Sequence, residues 1–207
     1  MFGKSKPPQN EKTLFQPRSV YAISKVFAYH IVIHYRDAYG LHACNGILFN
    51  HESPRRGVNF VTKKIVQGLI RIKQGKQKTL VLGNLYSRRD WGHAVDYVES
   101  MWKILQQKKG DDFVIATKTS NSVKDFINIC AKKLNIKIIW KYKGLKEIAI
   151  NKVTKKTIIK VDQKYFRETE VDNLIGDFTK ARKLLRWKPK YSLDKLIDDM
   201  INNELND

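Results

Sequence analysis

The 207-residue sequence predicts an α/β fold built on a parallel sheet. Helical periodicities alternate with short apolar runs over most of the chain, the pattern of helices covering strands. The run LHACNGILFN, 41–50, is mostly apolar and of strand length, as expected of a strand covered on both faces of such a sheet. Hydrophobic residues make up 42% of the chain and aromatic residues 11%, enough for one sizeable core or a core plus a small lobe.

Each element has its own signal. Residues 1–18 read as a loop punctuated by Pro7, Pro8 and Pro17. Ser19 is a good N-cap for a helix from about Val20 to Ala38, with Tyr21, Lys25, Ala28 and Tyr29 near one face. After the strand at 41–50 come a helix at about 60–74 and a strand at KTLVLGN, 78–84. A helix at about 92–108, a strand at DDFVIAT and a helix at about 121–134, capped by Asn121 or Ser122, continue the alternation. Residues 136–166 are β-branched and alternating, so they read as short strands with a hairpin and as the least regular region. Two helices at about 178–186 and 192–205 close the chain, separated by Trp187-Lys188-Pro189, where the proline cannot continue a helix.

The formal net charge of +20 suggests attraction to phosphates or other polyanions. The excess is spread along the whole chain among many Ile and Asn residues, so it reads as solvated lysine-rich faces with a few local anion sites. No nucleic-acid-binding motif accompanies it, and nucleic acid is not an expected partner. No stretch reaches the roughly 18–20 apolar residues of a membrane span, and the first residues lack the apolar core of a signal peptide. Cys44 and Cys130 lie far apart without metal or redox spacing, which reads as buried reduced thiols in a cytoplasmic protein. His30 and His34 are four apart, a spacing that can share a metal, but no third ligand is near, so no metal is expected.

Tyr21 and Lys25 are also four apart and share a helix face. A cation beside a phenol favours phenolate, as a tyrosine serving as general base near neutral pH requires. Alone the pair is equally an interfacial tyrosine and a surface lysine. NHESPRRG, 50–57, follows the apolar strand directly, where open α/β sheets bind ligands. Arg55 and Arg56 offer forked donors to phosphate, and Asn50 and His51 can orient a sugar or an amide. By composition the same loop is a solvated basic turn, Lys63 and Lys64 are exposed helical lysines, and Trp91 is a core aromatic. Asp90 reads as a loop-fixing acceptor of backbone or arginine hydrogen bonds.

In context these residues form a longer pattern. PRSVYAISK, 17–25, is similar to the PxxxYxxSK pattern of extended short-chain dehydrogenases/reductases. NHESPRRG, FVTKKI (60–65), SRRDWGHAVDYV (87–98) and YFRETEVDNLIGDFTKAR (165–182) resemble blocks of one branch of it, the GDP-mannose 4,6-dehydratases, over essentially the whole chain. The resemblance implies the C-terminal part of a Rossmann-type doubly wound sheet plus a smaller mixed α/β lobe. Residues 1–58 would be the remainder of the NADP-binding domain, and 59–207 mainly the lobe that binds the GDP-sugar, interleaved with Rossmann elements. It implies Tyr21 and Lys25 as catalytic and cofactor-binding residues and His51 and Arg56 as NADP contacts. Asn50, Val61, Lys64, Arg89, Arg167 and Glu170 would be substrate contacts.

In this family bound NADP takes hydride from C4 of the mannose and returns it to C6 after water is lost, giving GDP-4-dehydro-6-deoxy-mannose. Tyrosine takes the O4 proton. The family's threonine and glutamate fall in a T-S-E run just before the positions matching Met1-Phe2-Gly3. No glycine-rich phosphate loop is present, so the expectation is a partial enzyme that needs an N-terminal half, with an apolar edge or face exposed at 41–50. The complete enzyme would be a homo-oligomer. Two other readings stay open here: a non-catalytic remnant that binds GDP-sugar or other polyanions, and a nucleotide-sugar epimerase or reductase, since Tyr-x-x-x-Lys serves those too.

Overall fold

The computed structural model describes residues 1–166, 169, 171 and 173–206. The chain divides into two compact units that interleave along the sequence. The first comprises Met1–His51, Arg88–Ser120 and Thr169–Ser192; the second comprises Glu52–Ser87, Asn121–Glu168 and Leu193–Asp207.

In the first unit α1 (Val20–Tyr39) starts where the serine signal places it: Ser19 is extended and its hydroxyl accepts from the Ala22 N–H. Gly40 ends the helix at φ +64°, a left-handed conformation that suits glycine. Strand β1 (Asn45–Leu48) is shorter than expected, since 41–44 are irregular, and β2 (Asn50–Glu52) follows at once, its last residue counting with the second unit. Between Arg88 and Ser120 lie β4 (Arg88–Arg89), β5 (Trp91–His93), α3 (Ala94–Leu105) and β6 (Asp112–Ile115), with α5 (Thr179–Leu185) nearer the C-terminus.

β1 and β6 pair in parallel, with Ile47 opposite Val114. Strand alternation sends successive side chains to opposite faces. Ile47, Phe49, Val114 and Ala116 pack with Phe2 on one side, while Phe113 and Ile115 pack with Tyr97, Ile104, Leu185 and Trp187 on the other. Residues 47–49 thus lie between two cores, as a parallel strand should. Among the described residues β1 pairs only with β6, so its other edge is open as expected, and Leu41 is exposed; further apolar surface is exposed on α1. None of that helix is buried, and Val20, Ile23, Phe27 and Tyr35 are all exposed.

The second unit holds α2 (Val61–Lys73), β3 (Leu80–Leu82), β7 (Asn121–Ser122), α4 (Val123–Lys133), β8 (Ile138–Lys141), β9 (Ile148–Asn151), β10 (Thr157–Val161) and α6 (Leu193–Asn206). Its four-stranded sheet has the order β3-β10-β9-β8, with β10 parallel to β3 and antiparallel to β9. The region expected to be least regular therefore supplies three strands of the largest sheet among the described residues. α4 opens on a capping box in which the Ser122 hydroxyl accepts from the Asp125 N–H and the Asp125 carboxylate accepts from the Ser122 N–H. α2, α4 and α6 pack together, and Ile65, Leu69, Phe126, Ile127, Ile197 and Met200 on these helices are sealed from solvent. No helix among the described residues is long and apolar enough to cross a membrane.

Candidate active site

The candidate residues fall into two groups, one on each unit. On the first unit Tyr21 and Lys25 share one exposed face of α1, one turn apart. The Lys25 Nζ sits 5.3 Å from the centre of the Tyr21 ring, and Tyr21 is 72% exposed. Lys25 also borders a crevice of about 170 Å³ beside Met1, Ala28 and Tyr29. The phenol is accessible and has a cation at hand, the two properties its expected chemistry requires.

Asn50 and His51 stand at the start of β2, just past the covered strand. The His51 ring stacks on Tyr97 with centres 4.9 Å apart, and its Nδ1 lies 2.9 Å from the Phe49 carbonyl. A carbonyl only accepts, so a neutral ring donates from Nδ1 and keeps Nε2 as acceptor. The Asn50 amide is half-buried and makes no hydrogen bond among the described residues. Arg89 donates from Nη1 to the carbonyls of Arg88, at 2.9 Å, and Val171, at 2.5 Å.

Next to Arg89, Asp90 is fully buried and gathers three chain segments. Its Oδ1 accepts from the Thr117 N–H at 2.8 Å and the Thr117 hydroxyl at 2.6 Å. Its Oδ2 accepts from the N–H groups of Lys118 at 3.0 Å and Gly176 at 3.1 Å. Burial pushes its carboxyl above the usual range against the pull of these hydrogen bonds. Gly176 is required by close approach, because a Cβ there would come within 2.2 Å of the Ala116 Cβ. Asp90 is therefore the loop-fixing acceptor that the sequence suggested, and Trp91, 2% exposed, is the core aromatic.

On the second unit the basic loop is built around an acid. Glu52 is 3% exposed; its Oε2 accepts the Thr62 hydroxyl at 2.7 Å and lies 3.0 Å from Arg56 Nε. Desolvation raises the Glu52 carboxyl, with the Thr62 hydrogen bond and the Arg56 charge opposing it. The Arg56 guanidinium carbon lies 3.4 Å from the centre of the Phe60 ring. Val61 opens α2, and the Lys64 ammonium sits over the Tyr165 ring at 4.1 Å. Lys63 is not the exposed lysine its composition suggests. It is 6% exposed, reaches Glu204 at 2.7 Å and donates to the Pro54 carbonyl at 3.1 Å.

Arg167 and Glu170 lie outside the described residues. His30 and His34 are exposed, and their rings meet those of Tyr29, Tyr35 and Tyr39. Both cysteines are free; Cys130 is buried, which pushes its thiol up to about 12, and Cys44 is half-buried. The sequence reading passed over Glu52, although a carboxylate four residues before an arginine in an otherwise basic loop is a legible signal.

The GDP-mannose 4,6 dehydratase family model matches residues 1–200. GDP-mannose 4,6 dehydratase 1 of Arabidopsis thaliana is 51% identical over 205 residues, covering 99% of this chain and 52% of that protein. The chain spans about half the length of the curated relatives it matches. The structure of RMD from Pseudomonas aeruginosa complexed with NADPH superposes with a TM-score of 0.81 at 17% identity, covering 100% of this chain and 63% of that one. dTDP-glucose 4,6-dehydratase from Bacillus anthracis, in complex with NAD, gives 0.78 at 18%, covering 100% and 59%. At these identities the two structures speak to the fold, which is of the Rossmann type.

Proposed function

The chain belongs to the GDP-mannose 4,6-dehydratase family, and from that premise we propose that it is part of an NADP-dependent hydro-lyase converting GDP-mannose to GDP-4-dehydro-6-deoxy-mannose and water. The observation that carries the reading is the Tyr21–Lys25 pair, exposed together on the opening turns of α1. In it Tyr21 takes the proton from the sugar O4. Lys25 supplies positive charge beside that phenol and contacts the cofactor. Asn50, Val61, Lys64 and Arg89 hold the GDP-sugar together with Arg167 and Glu170. Residues 1–58 belong with the NADP-binding domain and 59–207 mainly with sugar-nucleotide binding, and the complete enzyme is a homo-oligomer of the cytoplasm.

The donor set fits a phosphate-bearing dinucleotide. The terminal nitrogens of Arg56 make no hydrogen bond among the described residues and are not sealed from solvent, since only its Nε counts among the buried unpaired atoms. Two such N–H groups match one phosphate. His51, held through Nδ1, keeps its other ring nitrogen for a donor such as an amide or hydroxyl. NADP, when bound, supplies hydride acceptance and return, which this chain's own residues cannot.

The test is Tyr21→Phe in the enzyme completed with an N-terminal family half. The variant keeps GDP-mannose binding and loses turnover by roughly the 10²–10⁴-fold that one positioned acid–base group contributes. Turnover like that of the wild type would remove Tyr21 from the chemistry.

A further inference from the structure

Arg56 is restrained from three directions. Its backbone N–H donates to the Ser53 carbonyl at 3.0 Å, closing the turn. Glu52 approaches the Nε edge of the guanidinium at 3.0 Å, while Phe60 lies under its face. Nε is buried and off the hydrogen-bonding direction, so the Glu52 contact acts through charge. Glu52 is itself held by Thr62 and has lost nearly all contact with water. A buried acid tied to one arginine is a weak device for stability, because desolvation offsets most of the attraction. It is an effective device for fixing where the arginine points.

We propose that Glu52 and Phe60 are positioning residues that hold Arg56 with its two terminal nitrogens presented together to a phosphate of the cofactor. This rests on the reading of Arg56 as a cofactor contact. The idea makes a prediction opposite in sign to simple electrostatics. Glu52 repels a phosphate, so on charge alone Glu52→Gln strengthens binding of the anion. If Glu52 positions Arg56, the same change weakens it, because the side chain must then be ordered at the moment of binding.

The experiment is ¹⁵N relaxation of the Arg56 Nε–H group in the 207-residue chain, assigned by its disappearance in Arg56→Lys. The expected order parameter is above about 0.8 in the wild type and falls toward about 0.6 in Glu52→Gln and in Phe60→Leu. Phe60 is half-exposed, so its variant reports even if the loss of Glu52 disturbs folding. An order parameter already low in the wild type, or unchanged in both variants, overturns the proposal. NADPH titration of the enzyme completed with an N-terminal family half separates the two layers. A 2- to 10-fold weaker affinity in Glu52→Gln supports positioning, and a tighter one overturns it. If Arg56→Ala leaves NADPH affinity unchanged, Arg56 is not a cofactor contact, whatever orders its side chain.

Discussion

Asp90 offers the sharpest energetic test of how the loop carrying Arg89 is held. Its carboxylate accepts four hydrogen bonds, three from backbone N–H groups, inside a fully buried setting. Asp90→Asn exchanges one acceptor oxygen for a donor. If the amide nitrogen faces Lys118 and Gly176, two N–H groups are orphaned. If it faces Thr117, the hydroxyl can turn to accept and only the Thr117 N–H is orphaned. The second arrangement wins, so the variant loses about 1–3 kcal/mol, the cost of one buried unpaired donor. Asp90→Ala orphans all three and loses more than about 3 kcal/mol. With a urea slope of roughly 2 kcal/mol per molar, the Asn midpoint falls by about 0.5–1.5 M. Hydrogen exchange at the Lys118 and Gly176 amides should accelerate in the Ala variant. A loss below about 0.5 kcal/mol for Asp90→Ala, with both amides still protected, would refute the reasoning.

Two further outcomes follow from local chemistry. Asp112 accepts from Arg36 at 2.9 Å, Asn45 at 2.9 Å and Tyr29 at 3.0 Å. Burial alone would push this carboxyl up, but the three hydrogen bonds and the guanidinium charge outweigh it and hold it below the usual carboxylate range. Its stabilising contribution is thus present above the unfolded carboxyl pKa, about 3.9, and is lost as pH falls through the folded value. Asp112→Asn should flatten the acid limb of stability against pH, and an unchanged limb would contradict the network. Ser122→Ala removes the serine half of the α4 capping box and should lower stability by about 1 kcal/mol, with Ser122→Asp restoring most of it.

What was legible in the sequence was what short-range chemistry decides. Ser19 and Ser122 cap their helices through atoms three residues away, and the 3.6-residue apolar period of α2 survives intact in the packed helix. Readings that depended on distant partners went astray. Lys63 looked exposed because nothing near it in the chain forecasts Glu204. Residues 136–166 form the short hairpin-linked strands expected of them, but that they join the largest sheet among the described residues could not be read locally, because β10 pairs with β3, far upstream. The strand at 41–50 was drawn too long because Leu41 and Ala43 are apolar, yet the ladder to β6 begins only at Asn45. Tyr21, Lys25 and Arg89 are candidates that the motifs propose, and the restraint on Arg56 emerged only from the packing of Glu52, Thr62 and Phe60.

The proposed function, removal of water from C6 of a GDP-hexose by the enzyme of which this chain would be part, can be tested directly. The most direct measurement is proton NMR of GDP-mannose incubated with NADP and the enzyme completed with an N-terminal family half. The account predicts a new C6 methyl doublet in a 4-keto sugar, absent with Tyr21→Phe. A product that keeps its C6 hydroxymethyl group while C4 inverts would contradict it and mark the chain as part of an epimerase.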